Sequence, residues 1–149
     1  MEVKSLKNKL MSNQTNKPNT VFWIIAVIAL IWNAMGVMAY LMRAFITDEM
    51  IAELPKEQQA EFLAEQPAWV TAAFALAVFS GVLGALFLLL RKKFATNLFI
   101  ISAVAAIAQH IYLFMNVDMP SLVMPVLIIV ECLFFVWYSK HATKKEWLA

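Results

Sequence analysis

Four long apolar runs, separated by short polar stretches, dominate the hydrophobic pattern of the chain. They cover residues 21–45, 68–90, 94–115 and 121–138. A helix rises about 1.5 Å per residue and needs about 17–25 residues to cross a hydrocarbon core of about 30 Å. Inside lipid each peptide group must be hydrogen-bonded within its own segment, so the helix is the expected backbone state. The pattern therefore predicts an all-α fold with four transmembrane helices.

The short connections between these runs predict how the helices are arranged. Residues 91–93 and 116–120 are too few to let consecutive helices run in the same direction, so we expect an antiparallel four-helix bundle. Small residues repeat every three or four positions in the first three runs and should face the bundle. Pro125 removes a backbone donor, so the start of the fourth helix should kink or unwind. Residues 1–20 and 140–149 form polar and basic tails around the membrane domain, residues 21–139.

The longest loop, residues 46–67, has a helical pattern of its own. Thr47 or Asp48 can cap a short helix, and Pro55 suits the first turn of another. Its apolar side predicts a short amphipathic helical segment lying at the outer membrane interface. Two interpretations follow: a connector that keeps its apolar side among the headgroups, which we favour, or a lid over an outward cavity.

Composition supports a membrane protein. Hydrophobic residues make up 62% of the 149 residues and charged residues 15%, with a mean hydropathy of +0.72. Soluble domains have about 45–50% apolar and about 25% charged residues, and a small globule cannot hide this excess in its core. The expected environment is the lipid bilayer, and we expect no nucleic-acid partner. The single cysteine, Cys132, excludes an intrachain disulfide and a cysteine-pair zinc site.

The distribution of charge predicts the orientation. Lysines and arginines cluster before the first run, between the second and third, and after the fourth, whereas acidic residues concentrate in the 46–67 loop. The positive-inside rule then places both termini in the cytoplasm. The polar leader is long and the first apolar run exceeds the usual 7–15 residues of a signal peptide, so we expect no cleavage.

A few polar side chains interrupt the apolar runs. Asn33 and Glu131 lie near mid-membrane, Gln109 and His110 in the outer third, and Arg43 at the outer rim. Because such groups cost about 2.5–3.5 kcal/mol at mid-bilayer, they should turn inward and find one another. We expect Glu131 to be neutral and hydrogen-bonded to Asn33 or another inward polar group.

This candidate polar cluster has two interpretations. The functional one is a proton-linked or ligand-binding pocket built on Glu131 and His110. The structural one is a set of interhelical hydrogen bonds, each worth about 0.6 kcal/mol. The two are balanced for Glu131, whereas Asn33 and Gln109 favour a structural role, and His110 is expected to face solvent or the interface.

Cofactor and catalytic patterns are weak. A soft-metal site for Cu(I) would need His110 together with methionines near the outer side, namely Met35, Met38, Met42, Met115, Met119 and Met124. Flexible filling of an irregular core is the favoured interpretation, because no Met-x-Met or cysteine pair accompanies them. The sequence has no GxSxG, HExxH or P-loop motif. We therefore predict no metal, no cofactor and no enzymatic activity.

Three segments carry a resemblance to a known family: WNAMGVMAYLM at 32–42, PAWVTAAFALAVFSGVLGALFLLLRKK at 67–93 and MPVLIIVECLFFVWYS at 124–139. The chain resembles a family of uncharacterised small four-helix proteins of the bacterial inner membrane, some labelled as sugar transporters. In size and helix count it is also similar to DoxX-like proteins. The resemblance implies a multi-pass inner-membrane protein and no particular site residues.

Three functional classes stay open at this stage. The favoured one is a non-enzymatic accessory or interaction subunit, or a small-solute handler working as an oligomer. The alternatives are a proton-coupled transporter of a small solute such as a sugar, using Glu131, and a membrane-embedded enzyme or binder of a quinone or lipid. The expected protein partner is a second copy of the chain or another membrane protein.

Overall fold

The fold is entirely α-helical in the part of the chain that the computed structural model describes, residues 1–11 and 16–149. Seven helices occur there, and no strand does. They are α1 (Glu2–Met11), α2 (Thr20–Phe45), α3 (Asp48–Glu53), α4 (Lys56–Leu63), α5 (Ala68–Leu89), α6 (Phe94–Asn116) and α7 (Val123–Lys144). The prediction of an all-α fold is confirmed.

Four of these helices, α2, α5, α6 and α7, are long and apolar enough to cross a membrane. Their most apolar 18-residue windows have mean hydropathies of 2.3, 2.4, 2.0 and 1.7. A charge-poor helix of this length has no favourable place in water, because its apolar surface exceeds what a chain of this size can bury. The molecule thus has the build of a polytopic membrane protein, and we call these four the spanning helices.

The helix boundaries agree with the predicted ones to within two residues except at the end of α7. This helix begins at Val123 instead of residue 121. Pro125 lies in the first turn, where its missing N–H leaves no intrahelical bond unmade. At the other end α7 continues to Lys144, six residues beyond the predicted boundary at 138. The predicted boundary marked the end of the apolar run, and a helix can continue past it into polar residues.

The loop between α2 and α5 contains the two short helices that its sequence predicts. Thr47 caps α3 by accepting a hydrogen bond from the Met50 N–H at 3.3 Å, and Asp48 and Glu49 occupy the first turn. Pro55 immediately precedes α4. Asn19, the residue before α2, caps that helix: its Oδ1 accepts a hydrogen bond from the Phe22 N–H at 3.0 Å. These local signals fix where the helices start.

The spanning helices pack in chain order, α2 against α5, α5 against α6 and α6 against α7. Half of the apolar window of α6 is buried but only 17% of that of α2, so α6 lies centrally and α2 lies at the side. Most buried positions of α5 and α6 hold small residues, and several of those predicted to face inward are among them: Ala77, Ser80, Gly81, Ser102 and Ala106. Small side chains let the backbones approach, which replaces the hydrophobic driving force that lipid removes.

Helices α2 and α7, both described in full, do not pack along their length. They meet at one end, where the Phe22 and Tyr138 rings stack with centroids 6.4 Å apart. This end also gathers the end of α5 and the start of α6 into one apolar cluster that includes Leu88 and Phe99. We call it the basic end, since the α5–α6 turn there carries Arg91, Lys92 and Lys93. Away from it, α2 and α7 diverge.

The last residues of the chain pack against the basic end instead of extending as a tail. Leu148 is 1% exposed, and the Trp147 ring lies edge-on to Phe22 with centroids 5.7 Å apart. The Arg91 side chain donates from Nε to the Trp147 carbonyl and from Nη2 to the Asn16 carbonyl, both at 2.8 Å. The basic segment 140–149 was predicted as a polar tail, and its apolar residues explain why it folds back.

Candidate functional site

A cavity of about 660 Å³ lies among the spanning helices, on the side where α2 and α7 diverge. All four spanning helices contribute to its wall, together with α4 and the α6–α7 connection. Most of the lining is apolar. Every polar residue singled out from the sequence, Asn33, Arg43, Gln109, His110 and Glu131, borders this one space.

Glu131 lies on α7 at the edge of the cavity with only part of its carboxyl hydrogen-bonded. Its Oε2 accepts a long contact from the Cys132 Sγ, 3.9 Å away. Its Oε1 is buried and has no hydrogen-bond partner among the residues described. The Trp32 indole lies beside the carboxyl as a further potential donor. A buried carboxyl oxygen without a partner is costly, so this oxygen is available to a donor from a bound molecule.

Asn33 does not hydrogen-bond to Glu131. Its Nδ2 donates to the carbonyl of Ala29 in its own helix, at 2.8 Å. Its Oδ1 turns toward Gly81, so closely that a Cβ at that position would collide with it. Ser102 Oγ approaches the same glycine and donates to the Ala77 carbonyl at 2.7 Å. Asn33 therefore tightens the contact between α2, α5 and α6 and presents an amide to the cavity.

Gln109 and His110 are both buried on α6, and both line the cavity. The expectation of a solvated or interface-facing histidine is wrong, since His110 is only 7% exposed. Its Nδ1 lies 2.8 Å from the Ala106 carbonyl, an acceptor, so this nitrogen carries the proton. In the neutral ring Nε2 is then left as an acceptor for a partner. Position along the helix alone misplaced His110, because α6 is the central helix and its neighbours cover this part of it.

Arg43 closes the cavity at the end opposite the basic end. Its Nη2 donates to the Glu61 carbonyl of α4 at 3.4 Å, and its Cζ lies 5.4 Å from the centre of the Phe62 ring. Both contacts join the end of α2 to α4. Glu61 itself and Gln66 also border the cavity. The loop between α2 and α5 thus borders the cavity, in keeping with either of the two interpretations, connector or lid.

Trp32, whose role the sequence left open, lines the large cavity and a second, smaller one of about 310 Å³. The smaller cavity lies between α2 and α7. Leu127 and Glu131 also line both spaces. Trp32 is therefore a wall residue, and its ring does not fill a close-packed core position.

The methionines do not converge on His110. Met35, Met119 and Met124 line the cavity, whereas Met38, Met42 and Met115 are exposed on the outside of the helices. No group of three His, Cys, Asp or Glu side chains in residues 1–11 and 16–149 could hold a metal ion. The arrangement offers hydrogen-bonding groups around an apolar space, as ligand-binding sites do.

Sequence reasoning missed two contributors to this site. Ser102 was recognised only as a small residue that faces inward, and Cys132 only as an isolated thiol. Their positions relative to Glu131 could have been read from helical geometry in part, since Cys132 is its chain neighbour. The position of Ser102 relative to Glu131 depends on how α6 packs on α5. No local sequence pattern predicts that packing.

Comparisons with protein families, with characterised proteins and with solved structures found no match to this chain.

Proposed function

We propose that this protein is a non-enzymatic, membrane-embedded binding protein that holds a small molecule in the cavity between its spanning helices. The observation that carries the proposal is the cavity of about 660 Å³ with Asn33, Gln109, His110 and Glu131 on its wall. Ligand sites in proteins have volumes of about 300–1,000 Å³ and combine apolar walls with a few convergent polar groups. The cavity has these properties.

The proposal includes an antiparallel arrangement with both termini in the cytoplasm of a bacterium. The joint cluster of the α2 start, the α5 end, the α6 start and the α7 end supports alternating directions. The lysine and arginine residues at the basic end support the orientation. The cavity then opens toward the outer half of the membrane, on the side of Arg43.

The test is native mass spectrometry of the protein extracted into nanodiscs with its native lipid. We expect a bound mass that persists when bulk lipid is stripped. Ala39→Phe fills the cavity, because Ala39 borders it, and should lower the bound fraction about tenfold, which corresponds to about 1.4 kcal/mol. Ala34→Phe, on the same helix but outside the lining, is the matched control and should retain the bound mass. Equal bound fractions in both variants would contradict the proposal.

A second candidate, proton-coupled transport of a small solute, is favoured by one observation. The Glu131 Oε1 is buried without a partner in the described chain, as expected of a group that exchanges a proton or a solute contact. In proteoliposomes loaded with a pH-sensitive dye, a transporter would move protons only when its solute is added. Glu131→Gln keeps the size of the side chain and should abolish that movement. A wild-type protein that binds a molecule but moves no protons excludes this candidate.

A further inference from the structure

The smaller cavity lies beside the large one, on the exposed side of the helix pair α2 and α7. It lies between α2 and α7, which do not pack along their length. Its wall consists of the apolar side chains Ile25, Ile28, Leu127, Phe134 and Phe135, together with Trp32 and Glu131. Several of these are exposed on the outside of the helices, Ile28 at 55%. We call this space the α2–α7 groove.

The groove and the large cavity adjoin each other. Trp32, Leu127 and Glu131 line both spaces, so these three residues form the boundary between them. The polar groups Asn33, Gln109 and His110 lie only on the cavity side. A molecule lying across the boundary would have an apolar surface on one side of Glu131 and hydrogen-bonding groups on the other.

This polarity gradient identifies the chemistry of the occupant. An apolar chain matches the groove, and a hydrogen-bonding head matches the cavity. The buried Glu131 Oε1 at the boundary is an acceptor without a partner in the described chain, so a hydroxyl donor suits it. A hydroxyl can also accept if the Glu131 carboxyl carries its proton, whereas a carboxylate or phosphate head would have to be buried as a charge at mid-membrane and is disfavoured. The groove, at about 310 Å³, has room for part of one chain and not for the two chains of a phospholipid.

We infer that a single-chain lipid with an uncharged, hydroxyl-bearing head enters sideways from the bilayer through the α2–α7 groove, with its head in the large cavity. This inference rests on the proposed function and adds the ligand class and the route. Trp32 and Glu131 meet the head first, which accounts for a tryptophan and a carboxyl facing each other at mid-helix. The mouth near Arg43 is then not the entry route.

The experiment uses the full-length protein in phosphatidylcholine nanodiscs and a monoacylglycerol probe with a photoreactive diazirine in its acyl chain. After irradiation, peptide mass spectrometry should find labels concentrated at the groove, on Ile25, Ile28 and Phe134. Ile28→Trp narrows the groove and should reduce this labelling at least fivefold. Ile31→Trp is the matched control, because Ile31 is 56% exposed on the same helix and lines neither space.

Several results would overturn the inference. One is that the Ile28→Trp protein is labelled at the groove as strongly as the Ile31→Trp control. Another is labelling spread evenly over all lipid-facing helix surfaces, which indicates ordinary surrounding lipid only. A third is a fatty acid, with its charged carboxylate head, competing as well as unlabelled monoacylglycerol. If Ile28→Trp does not fold, Phe134→Ala widens the groove instead and should increase labelling at Ile28; no increase contradicts lateral entry.

The failure of this inference and the failure of the proposed function give different results. If Ile28→Trp has no effect but Ala39→Phe still lowers the natively bound mass, the cavity binds a molecule that arrives by another route. If Ala39→Phe has no effect on the bound mass, the cavity itself is not a binding site. The Ile28→Trp and Ile31→Trp variants therefore test the entry route, and the Ala39→Phe and Ala34→Phe variants test the binding site.

Discussion

Single residues with no side chain or a short one decide how closely the spanning helices approach. Gly81 is the clearest case, because Asn33 Oδ1 occupies the place of its missing Cβ and Ser102 Oγ lies 3.1 Å from it. The polar contact between α2, α5 and α6 thus depends on a glycine. In lipid, where apolar burial does not drive helices together, such close approach is a main source of association energy.

We predict that Gly81→Ala destabilises the protein by about 1–3 kcal/mol, the usual cost of overpacking a close contact. The added methyl group must displace Asn33, and so moves α2 away from α5. Gly36→Ala is the matched control. Its Cβ would lie 3.2 Å from Val78 Cγ1, which a small shift relieves, and alanine favours the helix by up to about 1 kcal/mol. Unfolding in mixed micelles with increasing SDS measures both, and equal stabilities of the two variants would contradict the prediction.

At the scale of the helices, the short helix α4 and the turns at the basic end make contacts at the ends of the spanning helices. Helix α4 lies over one mouth of the cavity and is tied to α2 through Arg43. At the basic end, two helices end in turns with a residue at positive φ, Arg91 at 57° and Glu146 at 58°. Both turns have the backbone bonds of the Schellman motif, Lys92 N to Phe87 O and Trp147 N to Ala142 O.

We predict that Arg43→Ala releases α4. The substitution removes the hydrogen bond to the Glu61 carbonyl and the cation–π contact with Phe62, which together are worth about 1–2 kcal/mol. Hydrogen–deuterium exchange of residues 56–63 should rise about tenfold, with no change in α6. Arg43→Lys keeps the charge and should give a smaller effect. Unchanged exchange in Arg43→Ala would mean that α4 is held by other contacts.

The ends of α5 and α7 offer a comparison of two residues at positive φ, Arg91 and Glu146. Glycine relieves a left-handed backbone by about 1–2 kcal/mol, but Arg91 also makes two hydrogen bonds from a charged donor, each worth about 1.5–3 kcal/mol. Arg91→Gly should therefore lower the thermal midpoint in detergent. Glu146→Gly removes only an exposed contact from Asn16 at 3.3 Å and should leave the midpoint unchanged or raise it. The reverse order of midpoints would show that the Arg91 side chain does not hold the folded C-terminal segment.

At the scale of the whole molecule, the main feature is that the four spanning helices pack asymmetrically. Three helix pairs pack closely, whereas α2 and α7 diverge and leave the cavity and the groove between them. A symmetric bundle would have closed this gap with side chains. The asymmetry follows from α6, which is half buried and holds α5 and α7 against its two sides, while α2 contacts mainly α5.

The proposed orientation gives a prediction for the intact cell. A cysteine introduced at Gln58, in α4, should react with a membrane-impermeant maleimide added outside, and a cysteine at Lys92 should react only after the cells are opened. The native Cys132 is replaced by serine in both variants to remove background. Labelling of the Lys92 position alone in intact cells would reverse the orientation.

The sequence by itself determined the class of the molecule and most of its elements. Runs of apolar residues of membrane length predict the spanning helices, and capping residues such as Asn19 and Thr47 set where helices begin. These features depend on neighbours within a few positions along the chain, which is why the sequence contains them. The inward face of α6, with Ser102 and Gln109, was also readable from helical periodicity.

Only the tertiary structure decided which polar groups meet. Asn33 and Glu131 have similar depths, yet they face one space without bonding, because α2 and α7 diverge at that level. His110 became buried and segment 145–149 folded back because other helices cover them. The cavity and its lateral groove arise from the relative placement of four helices. That placement is a sum of many weak contacts between distant residues, and no local pattern in the chain encodes it.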